Sequence, residues 1–191
     1  MKAVVLNGAE SGDHASHTVY EIIASALEDI GWQVEPCILH EIKIASCRGC
    51  FGCWVKTPGI CVIDDAGHDV ARMVIQSDLV VLLTPVTFGG YSSELKKALD
   101  RIICLISPFF VKIGEEVHHK PRYERYPRLV GVGVLPHPDG ESERVFKTLV
   151  GRNAINLHCP AHAGGVVLST QGPDEMRETI QTLLTTAEVR G

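Results

Sequence analysis

One short stretch constrains the fold more than any other: residues 79–83 form an uninterrupted apolar run that ends close to a proline and a glycine pair. The run is too short for a helix and is rich in β-branched and aliphatic side chains, so it predicts a strand buried on both faces of a parallel sheet. Pro85 ends the strand, and Gly89 and Gly90 permit a sharp turn. The stretch therefore predicts a turn of nearly bare backbone at the carboxyl end of a central strand.

A helix is predicted after this turn, because apolar residues recur at helical spacing from Leu95 to Ile106 and either Ser92 or Ser93 can cap its start. Four further segments have the composition of strands and alternate with helical patterns. They are residues 3–6, 34–39, 129–135 and 165–169. Pro36 interrupts the second of them, which predicts an edge strand. Together the five strands and five helices predict an α/β fold: a doubly wound, five-stranded parallel sheet in the order 2-1-3-4-5, in three αβα layers.

The loop after the central strand carries a family resemblance. Its residues 84–90, Thr-Pro-Val-Thr-Phe-Gly-Gly, resemble the isoalloxazine-binding loop, commonly of a Ser-Pro-x-Tyr-x-Gly type, of the NAD(P)H-dependent FMN reductases, a flavodoxin-like family. Ligands bind at this edge of an open α/β sheet. The resemblance implies a flavodoxin-like fold with FMN as cofactor. It also implies flavin contacts from Pro85, Val86, Thr87, Phe88 and Gly89. The alternative is an ordinary strand–helix turn without a ligand.

The loop between the first strand and its helix, residues 7–18, is rich in small and hydroxyl-bearing residues. Free backbone N–H groups and the helix dipole converge at such a helix start, which makes it an anion site. We expect the FMN phosphate here, with the helix beginning near Ser16 or Thr18. The candidate contacts are Ser11, Ser16, His17 and Thr18. An alternative role for Thr18, compatible with phosphate binding, is a capping box with Glu21.

This loop departs from the pattern of the family it resembles. FMN reductases usually begin it with Gly-Ser-Pro-Arg or a similar run, whereas this chain has Ala9 and Glu10 after Gly8. Two side chains of the kind expected to hold a phosphate are therefore replaced.

A third loop, residues 136–141, follows the fourth predicted strand at the same edge of the sheet. His137 is a candidate contact to the flavin ring or to a substrate. Asp139 is interpreted as the cap of the helix from about 141 to 155.

A cysteine motif, Cys-x2-Cys-x2-Cys-x7-Cys, lies in the loop of residues 40–64 after the second predicted strand. Its members are Cys47, Cys50, Cys53 and Cys61. Soft thiolates select iron–sulfur clusters or zinc, and Gly49 and Gly52 permit the chain to wrap around such a group. The motif resembles that of the iron–sulfur flavoproteins, which implies a [4Fe–4S] cluster beside FMN. Zinc and the absence of any metal are the alternatives.

Residues 108–128 are too long and aromatic for a simple connection and too charged for a core. The segment is interpreted as an arm that packs on a neighbouring subunit, since Phe109, Phe110, Tyr123 and Tyr126 would otherwise be exposed. The alternatives are a basic lid that recruits the phosphates of NAD(P)H and a solvated loop.

Composition limits the remaining classes of function. A chain of 191 residues with 45% apolar and 21% charged residues is expected to form a single domain, residues 1–191. The net charge of −5 argues against a general nucleic-acid binder or a protein that binds anionic membranes. No apolar run approaches membrane-spanning length, and a cytoplasmic location is the expectation.

The resemblance implies an FMN-dependent NAD(P)H oxidoreductase or electron-transfer flavoprotein that relays electrons through the cluster. NAD(P)H or a protein is the donor, a small molecule or a protein is the acceptor, and a homodimer or homotetramer is expected. Because the flavin carries the chemistry, no catalytic side chain is required. The alternatives are a cluster-free NAD(P)H:quinone or flavin reductase and a non-enzymatic FMN electron carrier.

Overall fold

The computed structural model describes residues 1–191. Its main sheet has five parallel strands in the order β2-β1-β3-β6-β7. These are β1 (Lys2–Asn7), β2 (Gln33–Ile38), β3 (Leu79–Pro85), β6 (Arg128–Leu135) and β7 (His162–Leu168). The order confirms the predicted doubly wound, flavodoxin-like sheet, and Pro36 lies in an edge strand as its missing N–H requires.

Helices cover both faces of this sheet. They are α1 (His14–Glu28), α2 (Gly52–Val55), α3 (Gly67–Gln76), α4 (Ser93–Arg101), α5 (Gly140–Asn156) and α6 (Pro173–Thr186). One apolar cluster lies between the sheet and helices α1 and α6, and a second lies beneath α3, α4 and α5. The strand residues Val80 and Val81 contribute to opposite clusters, because successive side chains of a strand point to opposite faces.

The connection after α4 differs from the prediction. The helix ends at Arg101 and a 3-10 turn, Ile102–Leu105, leads into an antiparallel hairpin of β4 (Ile106–Ile113) and β5 (Glu116–Pro121). The apolar spacing up to Ile106 therefore does not extend the helix, because Pro108 follows and cannot continue it.

The hairpin gives residues 108–128, interpreted above as an arm, a regular β-structure that the sequence did not predict. Phe109 and Phe110 are exposed on β4, as expected for a surface arm, but Tyr126 is buried. Its hydroxyl donates to the carbonyl of Leu105 at 2.6 Å and so ties the end of the segment to the 3-10 turn after α4. None of the helices combines the length and the apolar character needed to cross a membrane.

Candidate functional site

The turn after β3 presents an aromatic side chain at the carboxyl edge of the sheet. Thr87 and Gly90 exchange both backbone hydrogen bonds, at 3.0 and 2.8 Å, around Phe88 and Gly89. Both central residues have positive φ, 49° and 75°. The left-handed region is unfavourable for phenylalanine, by roughly 1–2 kcal/mol. The Phe88 ring is also fully exposed, so no packing within the chain compensates for this strain. The turn is therefore suited to hold an aromatic ring against something outside the chain.

This turn is tied to both neighbouring strands. The N–H of Val86 donates to the carbonyl of Val134 in β6 at 2.9 Å. The Ser92 hydroxyl donates to the Gly8 carbonyl at 2.6 Å and accepts from the N–H of Leu95, which makes Ser92 the cap of α4. The loop after β3 is thus joined to the loop after β1 and to strand β6.

The loop after β6 begins α5 at this edge. Asp139 accepts from the N–H groups of Glu141 and Ser142, both at 3.1 Å, and from the Ser142 hydroxyl at 2.7 Å. The Ser142 hydrogen bonds hold the pKa of Asp139 below its usual value. Asp139 is therefore the predicted cap. His137 is exposed in the same loop, with its side chain free to meet a ligand.

The loop after β1 differs from the prediction at its helix start. Helix α1 begins at His14, and Asp13 caps it by accepting from the N–H of Ser16 at 3.0 Å. The Ser16 hydroxyl donates to Asp13 at 2.7 Å, and the Thr18 hydroxyl donates to the His14 carbonyl at 3.1 Å. The capping box of Thr18 and Glu21 therefore does not form, because aspartate three residues before Ser16 is already a strong cap.

A phosphate fits this loop through the backbone. The N–H groups of Glu10, Ser11 and Gly12 donate to no group of the protein. By contrast, the hydroxyls of Ser16 and Thr18 are engaged, and the Asp13 carboxylate lies where a helix start would attract an anion. The arrangement favours Ser11 and its neighbouring amides over the helix start for holding a phosphate.

The four motif cysteines line one cavity of about 60 Å³. Cys53 lies in α2 and is buried, whereas Cys47 and Cys50 are exposed and Cys61 is half-buried. Gly49 and Phe51 both have positive φ, 62° and 54°. The chain thus reverses on either side of Cys50, as wrapping around a compact group requires.

The cysteine cavity lacks the geometry of a single-ion site. No three cysteine, histidine or acidic side chains converge on a point where one metal ion could bind. Zinc needs its thiolates about 2.3 Å from one point, whereas the four thiolates of a [4Fe–4S] cluster each bind a different iron and are spread around it. Four sulfurs around a shared cavity are consistent with the second geometry.

A buried ion pair adjoins these cysteines. The Arg101 guanidinium donates to both carboxylate oxygens of Asp65, each at 2.8 Å. Burial opposes ionisation of Asp65, but Arg101 and two backbone N–H groups outweigh it and lower its pKa to about 2. Burial likewise lowers the pKa of Arg101, but Asp65 and the nearby sulfur of Cys61 leave it raised.

The sequence did not predict this pair. An aspartate shortly before a helical pattern predicts only a helix cap, and Asp65 does accept from the N–H of Gly67, the first residue of α3, at 2.9 Å. Its partner Arg101 lies 36 residues away and looks like an ordinary basic residue at a helix end. A basic residue directly before the apolar run 102–106 was the only local sign.

The cysteines do not lie at the edge that carries the three loops. Their loop leaves β2 at its carboxyl end as predicted, but the cavity is lined by Arg101 and Ile103, at the far end of α4. Ser92 and Arg101 are separated by nine residues, roughly 13 Å of helix. The candidate flavin site and the cysteine cavity therefore lie at opposite ends of helix α4.

The hairpin packs against the cysteine loop through a row of aromatic rings. Trp54, next to Cys53, lies 5.3 Å from Phe51 and 4.6 Å from His119 of β5, measured between ring centroids, and His119 lies 4.9 Å from Phe110. A cavity of about 460 Å³ opens beside Cys47, between α4, α5 and His119. The segment 108–128 thus forms part of the surroundings of the cysteines within its own chain.

Comparison with known proteins gives a family. The model of the NADPH-dependent FMN reductase family matches residues 1–123. An iron–sulfur flavoprotein of Archaeoglobus fulgidus is 31% identical over 103 residues, 54% of this chain and 46% of that protein. An iron–sulfur flavoprotein of Methanosarcina thermophila is 25% identical over 103 residues, 52% of this chain and 53% of that protein. The chain spans about half the length of these relatives.

Solved structures agree on the fold. An NAD(P)H:quinone oxidoreductase from Methanothermobacter marburgensis superposes with a TM-score of 0.69 at 14% identity, covering 98% of this chain and 94% of that one. An FMN-dependent NADH-azoreductase from Bacillus anthracis, in complex with FMN, has a TM-score of 0.63 at 13% identity, covering 98% and 97%. With the family match over residues 1–123, the chain belongs to the NADPH-dependent FMN reductase family.

Proposed function

We propose that this protein is an FMN-dependent NAD(P)H oxidoreductase. The observation that carries the proposal is the strained turn at Phe88, which exposes an aromatic ring completely at the sheet edge where ligands of this fold bind. Membership of the FMN reductase family supports the cofactor. Bound FMN supplies the hydride and electron chemistry, and the protein supplies binding and orientation.

Each loop at the edge has a separate task in this proposal. The turn of residues 85–89 lies along the isoalloxazine, with Phe88 against the ring. Its position is fixed by the bond from the Val86 N–H to Val134 and by the bond from the Ser92 N–H to the Thr84 hydroxyl just before the turn. The free N–H groups around Ser11 hold the phosphate, and His17 stands at the nearby start of α1. His137 faces the ring or the substrate from the third loop.

We further propose that Cys47, Cys50, Cys53 and Cys61 hold a [4Fe–4S] cluster through which electrons are relayed. The shared cavity supports it, as do the relatives named iron–sulfur flavoproteins. The thiols must lose their protons on binding, and burial raises the pKa of Cys53, so cluster assembly is favoured at higher pH. Within one chain, the flavin site and the cluster site are separated by about the length of helix α4, roughly 13 Å.

The surroundings of these sites suggest the partners. NAD(P)H or a protein is the proposed donor, and a small molecule or a protein is the acceptor. The cavity beside Cys47, with both apolar and polar lining residues, is large enough for a small acceptor. We also propose that residues 1–191 form a single domain, that the protein assembles as a homodimer or homotetramer, and that it is cytoplasmic.

A second candidate is a cluster-free NAD(P)H:quinone or flavin reductase. The likeness in fold to a protein described as an NAD(P)H:quinone oxidoreductase favours it. A non-enzymatic FMN carrier is distinguished by the lack of NADH or NADPH oxidation with quinone or FMN as acceptor.

Titration of the anaerobically purified protein with FMN tests the main proposal. Phe88→Ser is expected to weaken FMN binding by about fivefold, since loss of one aromatic contact is worth about 1 kcal/mol. Phe109→Ser, at another exposed phenylalanine on the hairpin, is the matched control and should bind FMN as the unaltered chain does. Equal affinity of the Phe88 variant, or no FMN binding at all, would overturn the proposal. Iron and acid-labile sulfide assays on the same preparation test the cluster separately.

A further inference from the structure

Arg101 is a charged side chain with almost no access to solvent; its relative exposure is 2%. A guanidinium has five N–H bonds, carried by three nitrogens. One terminal nitrogen donates to Asp65 and to the Ala45 carbonyl, both at 2.8 Å. The other donates to Asp65 at 2.8 Å and to the Ile63 carbonyl at 3.0 Å. Both terminal nitrogens are therefore fully engaged and hold the group in one orientation.

The remaining donor has no acceptor. Nε of Arg101 is buried and makes no hydrogen bond in the protein. Buried donors are almost always paired, and a charged one that is unpaired is especially unfavourable. Arg101 also lines the cavity that the four motif cysteines share. The unpaired N–H thus belongs to a residue that shares a cavity with the four cysteines and lies near the sulfur of Cys61.

We propose that Nε–H of Arg101 donates to a sulfur of the group bound by Cys47, Cys50, Cys53 and Cys61, and thereby raises its reduction potential. The inference rests on the proposed cluster. Reduction adds a negative charge, and hydrogen bonds to cluster sulfurs and nearby net charge set its cost. Arg101 is a positioning residue here, since it binds no metal and takes no part in electron transfer.

Asp65 has a defined part in this arrangement. It fixes the guanidinium through two parallel hydrogen bonds, and its negative charge partly offsets the positive charge that faces the cysteines. The two partners therefore have opposite effects on the potential. A pair that served only to anchor the loop to α4 would have no such opposition, because loosening either partner would disturb the cysteines in the same way.

The test is a potentiometric titration of the full chain, reconstituted anaerobically with iron and sulfide and followed by EPR and absorption. Arg101→Lys keeps the charge and the ion pair but removes the Nε donor, so the potential should become more negative. Asp65→Asn leaves the arginine charge without its counterion, so the potential should become more positive. Arg177→Lys, in α6 on the other face of the sheet and paired with Asp29, is the control and should leave the potential unchanged.

Opposite shifts in the two variants support the inference. Equal potentials in the unaltered chain and in Arg101→Lys overturn it, and so do shifts of one sign in both variants. If Arg101→Lys does not fold, or does not retain iron, Asp65→Asn decides alone. An unchanged or more negative potential in Asp65→Asn then overturns the inference. An unaltered chain that takes up no iron overturns the proposed cluster as well, which distinguishes that failure from an unchanged potential.

Discussion

The hydroxyl of Ser92 donates to the carbonyl of Gly8 at 2.6 Å, across 84 residues of sequence, while it caps α4. One buried side chain thus joins the loop expected to hold the phosphate to the loop expected to hold the flavin ring. We expect Ser92→Ala to lower the free energy of unfolding by about 1–2 kcal/mol, through the lost cap and the unpaired carbonyl. Urea denaturation measures this. Ser93→Ala, at the neighbouring exposed position, should change little, and an equal loss in both would contradict this assignment.

Gly133 allows the turn after β3 to lie on β6. A Cβ at this position would come within 2.5 Å of a Val86 methyl group, and valine has little freedom to move away. Gly133→Ala should therefore displace the turn, weaken FMN binding and destabilise the protein by about 1–3 kcal/mol. Gly140→Ala is the matched control, since a Cβ there meets nothing within 4 Å. FMN titration and thermal unfolding check both variants, and normal FMN affinity in Gly133→Ala would refute the prediction.

The cysteines of the chain fall into two groups with different expected roles. Cys50→Ala should abolish iron binding while leaving FMN binding intact. Cys104→Ala should keep its iron, because Cys104 is buried in the apolar cluster and burial raises its pKa to about 11. Iron, sulfide and flavin contents of the purified variants decide the matter. Iron retained by Cys50→Ala would exclude the four-thiolate site.

Alkylation of the metal-free protein provides an independent check. Burial raises the pKa of Cys37 to about 11 and that of Cys159 to about 12, so neither forms much thiolate at pH 8. The exposed thiols of Cys47 and Cys50 should therefore be labelled first by iodoacetamide. Peptide mass mapping over time gives the order of labelling, and early labelling at Cys37 would contradict the burial described here.

The buried ion pair predicts a pH dependence of stability. The pKa of Asp65 falls from 3.8 to about 2 on folding, so the carboxylate stabilises the protein above about pH 4 and this contribution is lost as the pH falls towards 2. The shift corresponds to about 2 kcal/mol. Asp65→Asn should lower stability at pH 7 and flatten its decline between pH 4 and pH 2, as measured by urea denaturation at each pH.

Glu116 is the control for that experiment. Its pKa is also lowered to about 2, by Arg152 first and then by His118, but the group is fully exposed. Solvent screens such a pair, so Glu116→Gln should have a much smaller effect on stability than Asp65→Asn. Equal effects of the two substitutions would show that burial of Asp65 does not determine its contribution.

Strand order and the site loops were predictable because their signals are local. An apolar run ending at Pro85, a proline in an edge strand and a serine before a helical pattern each report on a few neighbouring residues, and the sheet order confirms what they predict. The hairpin was missed because residues 108–128 mix charged and aromatic side chains without regular alternation.

The start of α1 and the partner of Asp65 were not predicted correctly, for two different reasons. The start of α1 was placed too late because Ser16 and Thr18 are as suitable for caps as Asp13, and only the observed bonds show which residue is used. Arg101 was missed because its acceptors come from another part of the chain, Ala45 to Asp65, and pairing over such a distance leaves no periodic pattern.

Trp54, whose ring packs against His119 at a centroid distance of 4.6 Å, gives the chain an intrinsic fluorescence probe beside the cysteines. The protein has two tryptophans, and the other, Trp32, lies in the apolar cluster on the opposite face of the sheet with its indole N–H bound to the Arg190 carbonyl. Trp54 adjoins Cys53, so its fluorescence should be quenched as iron enters, while emission from Trp32 persists as a constant background. Cluster assembly can thus be followed in real time without any attached dye.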